Sequence, residues 1–246
     1  MRKQQEKKGT DADSEECLVL RSGAREAAFN MALDEALLQN ASRLGKPLLR
    51  FYGWSQPAAS FGYFQKYADV ERMTLLRPLV RRPTAGGLVP HDADWTYSLV
   101  FPTQNPWFSL TAVESYRRVH LWIQAAFSSL GIATELAVCR KKAQPGECFA
   151  GYETSDVLWH GRKIAGAAQR RNRDGLLIQG SVQPPPITLV RGDWEEAMLR
   201  AATSLATPHS WRVGSWSEFS LDPVLIRQAK QLAEHKYLQP AFNLKR

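Results

Sequence analysis

The sequence predicts an α+β fold, a mixed and largely antiparallel sheet flanked by helices. Three observations carry this. Short runs rich in β-branched and aromatic residues recur along the chain, helical periodicity is clear in four places, and the strand-like runs follow one another mostly across short turns. With 246 residues, of which 44% are hydrophobic and 23% charged, the chain has enough apolar material for a substantial core.

Residues 1–16 are charged throughout and lack the apolar centre of a secretory signal, so they read as a flexible tail. Residues 17–246 are expected to form a single domain, with its core over about 25–185 and a helical part after 186. The first helix is predicted over 25–39, where Phe29, Leu33, Ala36 and Leu37 share one face. Strands are predicted at 47–54, 58–64, 79–82 and 95–101. Thr111 and Glu114 have the spacing of a capping box ahead of Tyr116, Val119, Ile123, Phe127 and Leu130, and Gly131 is the stop. Two strands between 163 and 182 are separated by Asn172-Arg173-Asp174-Gly175, a polar four-residue hairpin loop. Pro184-Pro185-Pro186 leaves the sheet. Asp193 and Glu196 repeat the capping pattern, and Asp222-Pro223 reads as an N-cap followed by a first helical residue.

Composition excludes several classes. No apolar run approaches the roughly 18–20 residues that cross a bilayer, so no membrane association is expected. Three cysteines, Cys17, Cys139 and Cys148, form no C-x-x-C pair, which argues against a disulfide framework and a metal site and for a reducing, cytoplasmic setting. The formal net charge of +8 suits nucleic acid, an anionic surface or an acidic protein equally. No zinc finger or RNA-binding aromatic signature accompanies it, so charge alone names no partner and nucleic acid is not expected.

Two segments carry chemistry. In Arg81-Arg82-Pro83-Thr84-Ala85-Gly86-Gly87-Leu88-Val89-Pro90-His91-Asp92, two arginines end a strand before a small-residue turn. Gly86 and Gly87 allow close backbone approach, and the arginines suit an anionic or polarised group. The same residues also describe an ordinary turn beside a solvated strand end. His91 is a base or, more commonly for a lone histidine, a structural hydrogen-bonding group. The segment lacks both P-loop and dinucleotide spacings. In the second segment, Lys163 lies within the small-residue strand Gly161-Arg162-Lys163-Ile164-Ala165-Gly166-Ala167. It either points into a pocket while Ile164 faces away, or belongs to a basic face with Arg162, Arg170 and Arg171.

These motifs resemble those of the biotin/lipoate A/B protein ligase family. Residues 81–92 are similar to its R-R-x-T-G-G-G-x-V-x-H-D signature. Residues 161–166 are similar to its G-R-K-I-x-G element, and 167–180 to the hairpin that follows. Arg50-Phe51-Tyr52-Gly53-Trp54 and Phe61-Gly62-Tyr63-Phe64-Gln65 resemble its opening strands. The similarity covers roughly residues 25–185, and several motifs in order are more specific than any one.

The resemblance implies Lys163 as a catalytic residue. It implies a pocket shaped by Arg81, Arg82, Thr84, Ala85, Gly86, Gly87, His91, Gly166, Ala167 and Gly180. One branch of the family, cysteine-dependent octanoyltransferases, carries a nucleophile about fifteen residues before that lysine. Cys148 stands at this separation, and Cys148-Phe149 resembles that branch's C-F pair. The implied reaction takes octanoate from octanoyl-acyl carrier protein, through a Cys148 acyl-enzyme, to a lysine of a lipoyl domain (an E2 subunit or the glycine-cleavage H protein), with no cofactor. The alternative is an ATP- and magnesium-dependent lipoate ligase, in which Arg81, Lys163 and the Gly86-Gly87 turn would hold an acyl-phosphate. Two positions depart from the family pattern: Ala85 replaces the first glycine of the triplet, and Gln179 stands where a histidine often precedes the glycine.

Overall fold

The computed structural model describes residues 15–142, 151–204 and 212–245. The strands are β1 (Glu15–Arg25), β2 (Leu48–Trp54), β3 (Ala58–Phe61), β4 (Leu79–Arg81), β5 (Val89–His91), β6 (Trp95–Phe101), β7 (Glu135–Leu136), β8 (Val157–Trp159), β9 (Arg162–Asn172), β10 (Gly175–Val182) and β11 (Val213–Glu218). Eight of them form one sheet in the order β11-β1-β2-β6-β10-β9-β8-β7, and β4-β3-β5 form a small second sheet. In the large sheet β1 runs parallel to both its neighbours and every other pairing is antiparallel. The predicted mixed, largely antiparallel sheet is therefore observed.

The helices are α1 (Ala27–Gln39), α2 (Ala41–Leu44), α3 (Tyr67–Met73), α4 (Pro106–Ser109), α5 (Ala112–Ser129), α6 (Arg191–Ser204), α7 (Pro223–Leu232) and α8 (Pro240–Asn243), with a π turn at Ala233–Tyr237 between the last two. Alternation along the central strands sorts the core into two layers. Leu99, Leu176 and Ile178 point to the face covered by Val119, Ile123 and Phe127 of α5 and by Trp194 and Met198 of α6. Val100 and Leu177 point to the other face, beneath Leu33 and Leu37 of α1 and Leu225 of α7. None of the helices among the described residues is long and apolar enough to cross a membrane.

Caps follow the expected chemistry in two places. Thr111 Oγ1 accepts the Glu114 N–H at 3.2 Å, and Asp222 Oδ1 accepts the Leu225 N–H at 2.8 Å. The third expectation is corrected: α6 starts at Arg191, so Asp193 sits inside the first turn rather than ahead of it. There it still meets the positive end of the helix dipole. The β9–β10 turn is also tighter than expected. Asn172 and Gly175 pair across the hairpin, leaving Arg173-Asp174 as a two-residue turn in which Asn172 Oδ1 accepts the Asp174 N–H at 3.0 Å.

Of the tail expected over 1–16, residues up to 14 lie outside the described residues, while Glu15 and Glu16 already belong to β1. β1, β5 and β11 had no clear signal. β1 alternates irregularly, and only Val213 of β11 is buried.

Candidate active site

A cleft of about 780 Å³ opens between the small sheet and strands β9 and β10 of the large one. Ser60, Arg82, Gly86, Gly87 and His91 line it on one side, and Lys163, Gly166, Ala167 and Gly180 on the other. Arg140, Lys141 and Lys142 add a basic rim, next to Gly151, Tyr152 and Glu153. Of the residues the sequence singled out, the cleft therefore gathers eight with side chain or backbone on its wall.

The turn after β4 is built around its glycines. Gly86 takes a φ of +89°, while Ala85 is not among the positive-φ residues. That explains why an alanine is tolerated at the first position of the triplet: the left-handed step falls one residue later. Close approach is required opposite. A Cβ on Gly62 would sit 1.9 Å from the Gly86 carbonyl oxygen, so only glycine fits there.

Both arginines of the motif serve this architecture, and only Arg82 also lines the cleft. The Arg82 guanidinium donates to the Ser60, Ala85 and Gly87 carbonyls at 2.8, 3.0 and 2.8 Å. Burial lowers its pKa to about 10, leaving it charged at neutral pH. Arg81 is fully buried and does not line the cleft. Its guanidinium donates to the backbone carbonyls of Tyr63, Gln65, Phe242 and Asn243 at 2.7–3.1 Å. Arg81, expected to shape the pocket, lies behind the wall instead, with its guanidinium on backbone carbonyls.

His91 is likewise a structural clamp. Its ring stacks on Trp54 with centroids 3.8 Å apart, Nδ1 lies 2.9 Å from Asp94 Oδ2, and Nε2 lies 2.6 Å from Ser60 Oγ. Burial holds its pKa below the ordinary histidine value. Thr84 and Ala85 do not line the cleft. Thr84 instead donates to Gln179 Oε1 at 2.8 Å, and Gln179 Nε2 donates to Asp34 Oδ2 at 2.7 Å. Asp34 is fully buried and also accepts from Arg50 at 2.6 Å, Ser98 at 2.7 Å and Tyr52 at 3.1 Å. Gln179 thus joins the cleft wall to a charged network inside the protein.

Lys163 takes the pocket-facing alternative. A β-bulge between β8 and β9 shifts the register there, pairing Val157 with Ala165 and Leu158 with Lys163. Bulges re-aim side chains, and here Ile164 enters the core while Lys163 reaches the cleft. Lys163 Nζ lies 2.7 Å from Asp156 Oδ2. A Cβ on Gly166 would meet Lys163 Cε at 2.6 Å, so the lysine folds back across a glycine. Likewise a Cβ on Gly180 would meet the Tyr97 ring at 2.1 Å. Asp156 itself is fully buried and bonded to the Tyr116 hydroxyl. Asp156, Tyr116 and Asp34 were missed by sequence reasoning. Each is a single polar residue with no motif around it.

Cys148, with Phe149 and Ala150, lies outside the described residues. Of the other cysteines, Cys17 is buried in the core, where desolvation pushes its thiol well up, and Cys139 is exposed. Cys17 is therefore held as an inert thiol.

His120, on α5 behind Asp156, is fully buried, and desolvation pulls its pKa down from 6.5 to about 4. The unfolded chain then binds the proton more readily than the folded one. Stability is full above pH 6.5 and falls as the pH drops toward 4, by on the order of 3 kcal/mol. His120→Asn is expected to flatten the pH dependence of the denaturant midpoint across this window; an unchanged slope in that variant would refute the assignment.

A family model for the lipoyl protein ligase A/B catalytic domain matches residues 26–183, well over half of the chain. The chain belongs to this family. Its relatives include the octanoyltransferase LipM of Halalkalibacterium halodurans, 37% identical over 65% of this chain and 63% of that protein. The LipM of Carboxydothermus hydrogenoformans is 39% identical over 63% of this chain and 60% of that protein. The matches thus span somewhat over three fifths of these relatives' length. Among solved structures, protein Ta0514 of T. acidophilum with bound lipoic acid aligns with a TM-score of 0.73 and 19% identity, over 95% of this chain and all of that one. Lipoate-protein ligase A bound with ATP aligns with a TM-score of 0.72 and 19% identity, over 94% and 98%. The fold of this chain is therefore shared with chains of very different sequence.

Proposed function

We propose that this family member is a cytoplasmic, cysteine-dependent acyltransferase that moves an octanoyl group from an acyl carrier protein to a lysine of a lipoyl domain. The observation that carries the reading is the placement of Lys163 in the wall of a cleft that Gly151, three residues after Cys148 in sequence, also lines. The similarity to octanoyltransferases supports the choice of acyl group.

In the first step the Cys148 thiolate attacks the thioester carbonyl. A new C–S bond forms, the old one breaks, and the carrier leaves as its thiolate. In the second, the neutral amine of the acceptor lysine attacks the acyl-enzyme. A C–N bond forms, the bond to Cys148 breaks, and the proton on nitrogen passes to the departing thiolate. Exchange of one thioester for another is nearly thermoneutral, and amide formation drives the sequence. In both steps negative charge develops on the carbonyl oxygen. Lys163 supplies a fixed positive charge for it, in a site where water is partly excluded. The apolar tail gains about 0.8 kcal/mol per buried CH₂ within the cleft. The basic rim of Arg140, Lys141 and Lys142 favours an acidic donor protein.

The test is intact-mass analysis after incubation with octanoyl-acyl carrier protein in the absence of ATP. The expected result is an octanoyl adduct that Cys148→Ser does not form, followed by transfer to a lipoyl domain. Acceptor labelling only from free acid plus ATP would establish the ligase reaction in its place.

A further inference from the structure

Lys163 does not stand alone in the cleft wall, and the group that holds it is not part of either sequence motif. Asp156 precedes β8 and is fully buried, although carboxylates are rarely buried without strong partners. Its two oxygens are divided between neighbours. Oδ2 accepts from Lys163 Nζ at 2.7 Å and from the Glu153 N–H at 2.7 Å. Oδ1 accepts from the Tyr116 hydroxyl. Tyr116 is itself kept protonated, since burial and the Asp156 charge both push its pKa up. The carboxylate is thus clamped from α5 on one side and from the 151–155 segment on the other. Of the two side chains it bonds here, Lys163 is the one that lines the cleft.

The lysine is equally constrained. Its Cε and Nζ pass over Gly166, where even a methyl group would displace them, and its side chain is only 15% exposed. A flexible four-carbon side chain ordinarily samples many rotamers. Here the bulge sets its starting direction, Gly166 leaves room for its path, and Asp156 fixes its end.

We propose that Asp156 is the positioning residue for Lys163: it holds the ammonium at one point of the cleft wall, so that the cation is in place before the acyl group arrives. The inference rests on the reading of Lys163 as the carbonyl-facing cation, and it adds a residue to that machinery. Two further expectations follow. Tyr116 acts one step removed, by orienting the carboxylate. Removing the charge of Asp156 takes away the ion pair that holds Lys163 in this position.

The test compares Asp156→Asn and Tyr116→Phe with the parent protein by two measurements. The first is acetylation of intact protein with N-hydroxysuccinimidyl acetate at pH 7, read lysine by lysine by peptide mass spectrometry. Acetylation needs an amine that can move out to meet the reagent, so Lys163 is expected to label several-fold faster in Asp156→Asn while the other lysines keep their rates. The second is steady-state octanoyl transfer, where kcat is expected to fall roughly 10²-fold with the donor KM nearly unchanged, as for a misplaced group. Tyr116→Phe should show both changes to a smaller degree, and it carries the test if Asp156→Asn does not fold. Unchanged Lys163 labelling overturns the proposal, and so does faster labelling with undiminished kcat. If the parent protein transfers no octanoyl group at all yet Lys163 labelling still rises selectively, the positioning role stands and the octanoyltransferase reading falls.

Discussion

Lys163→Ala is expected to lower octanoyl transfer by about 10²–10³-fold while leaving the thermal midpoint close to that of the parent. The magnitude is that of removing one preorganised oxyanion donor from a partly desolvated site. The stability side follows from the geometry. Lys163 sits at the cleft wall rather than in the core, and without it Asp156 still has the Tyr116 hydroxyl and the Glu153 N–H. Lys163→Arg is a sharper probe than alanine. It keeps the charge, but its planar fork cannot follow the path over Gly166 that the narrow ammonium takes. Arginine is therefore expected to recover little of the lost rate. Near-parental transfer by the alanine variant, measured with saturating donor, would remove Lys163 from the mechanism.

Asp34→Ala should produce the largest loss of stability. Arg50 and Asp34 form an ion pair at 2.6 Å with neither side chain exposed to water. Deleting the carboxylate leaves a guanidinium buried without its counter-charge. It also takes an acceptor from Ser98, Tyr52 and Gln179 together. Breaking such a pair costs about 3–5 kcal/mol, which for a chain of this size lowers Tm by roughly 10 °C or more. Asp34→Asn keeps some of the hydrogen bonds and should fall between. Calorimetry of the three proteins checks the order. An alanine variant within a degree or two of the parent would mean that the network contributes nothing.

Much of this molecule was legible because its pattern is local. The helix at 25–39, which proves buried nearly all round rather than on one face, the Thr111 and Asp222 caps and the run at 95–101 each announce their state through residues a few positions apart. The site was legible only as far as its motifs. Lys163 could be placed in a strand, but whether it faced a pocket or solvent depended on a bulge that involves β8, which no pattern in β9 reveals. Arg81 and Arg82 look alike in sequence. One is claimed by carbonyls near residue 242 and the other by the turn, and that division is made by tertiary packing alone. Asp156 and Asp34 read as isolated polar residues because their partners come from distant elements. β1 and β11 escaped notice for a related reason: their pairing joins residues about 200 apart, and neither has the alternation that marks a half-buried strand.

The attachment of Arg81 to Phe242 and Asn243 has a consequence for biosynthesis. Its backbone N–H, Nε and one terminal guanidinium nitrogen are received by Phe242 and Asn243, 161 and 162 residues later. The strand that leads into the cleft turn thus gains these bonds only when Phe242 and Asn243 have been made and have docked. During synthesis the signature segment emerges early but waits for its fastener. A half-made chain carries the motif without the rigid wall, and so has the chemistry's letters before it has the chemistry.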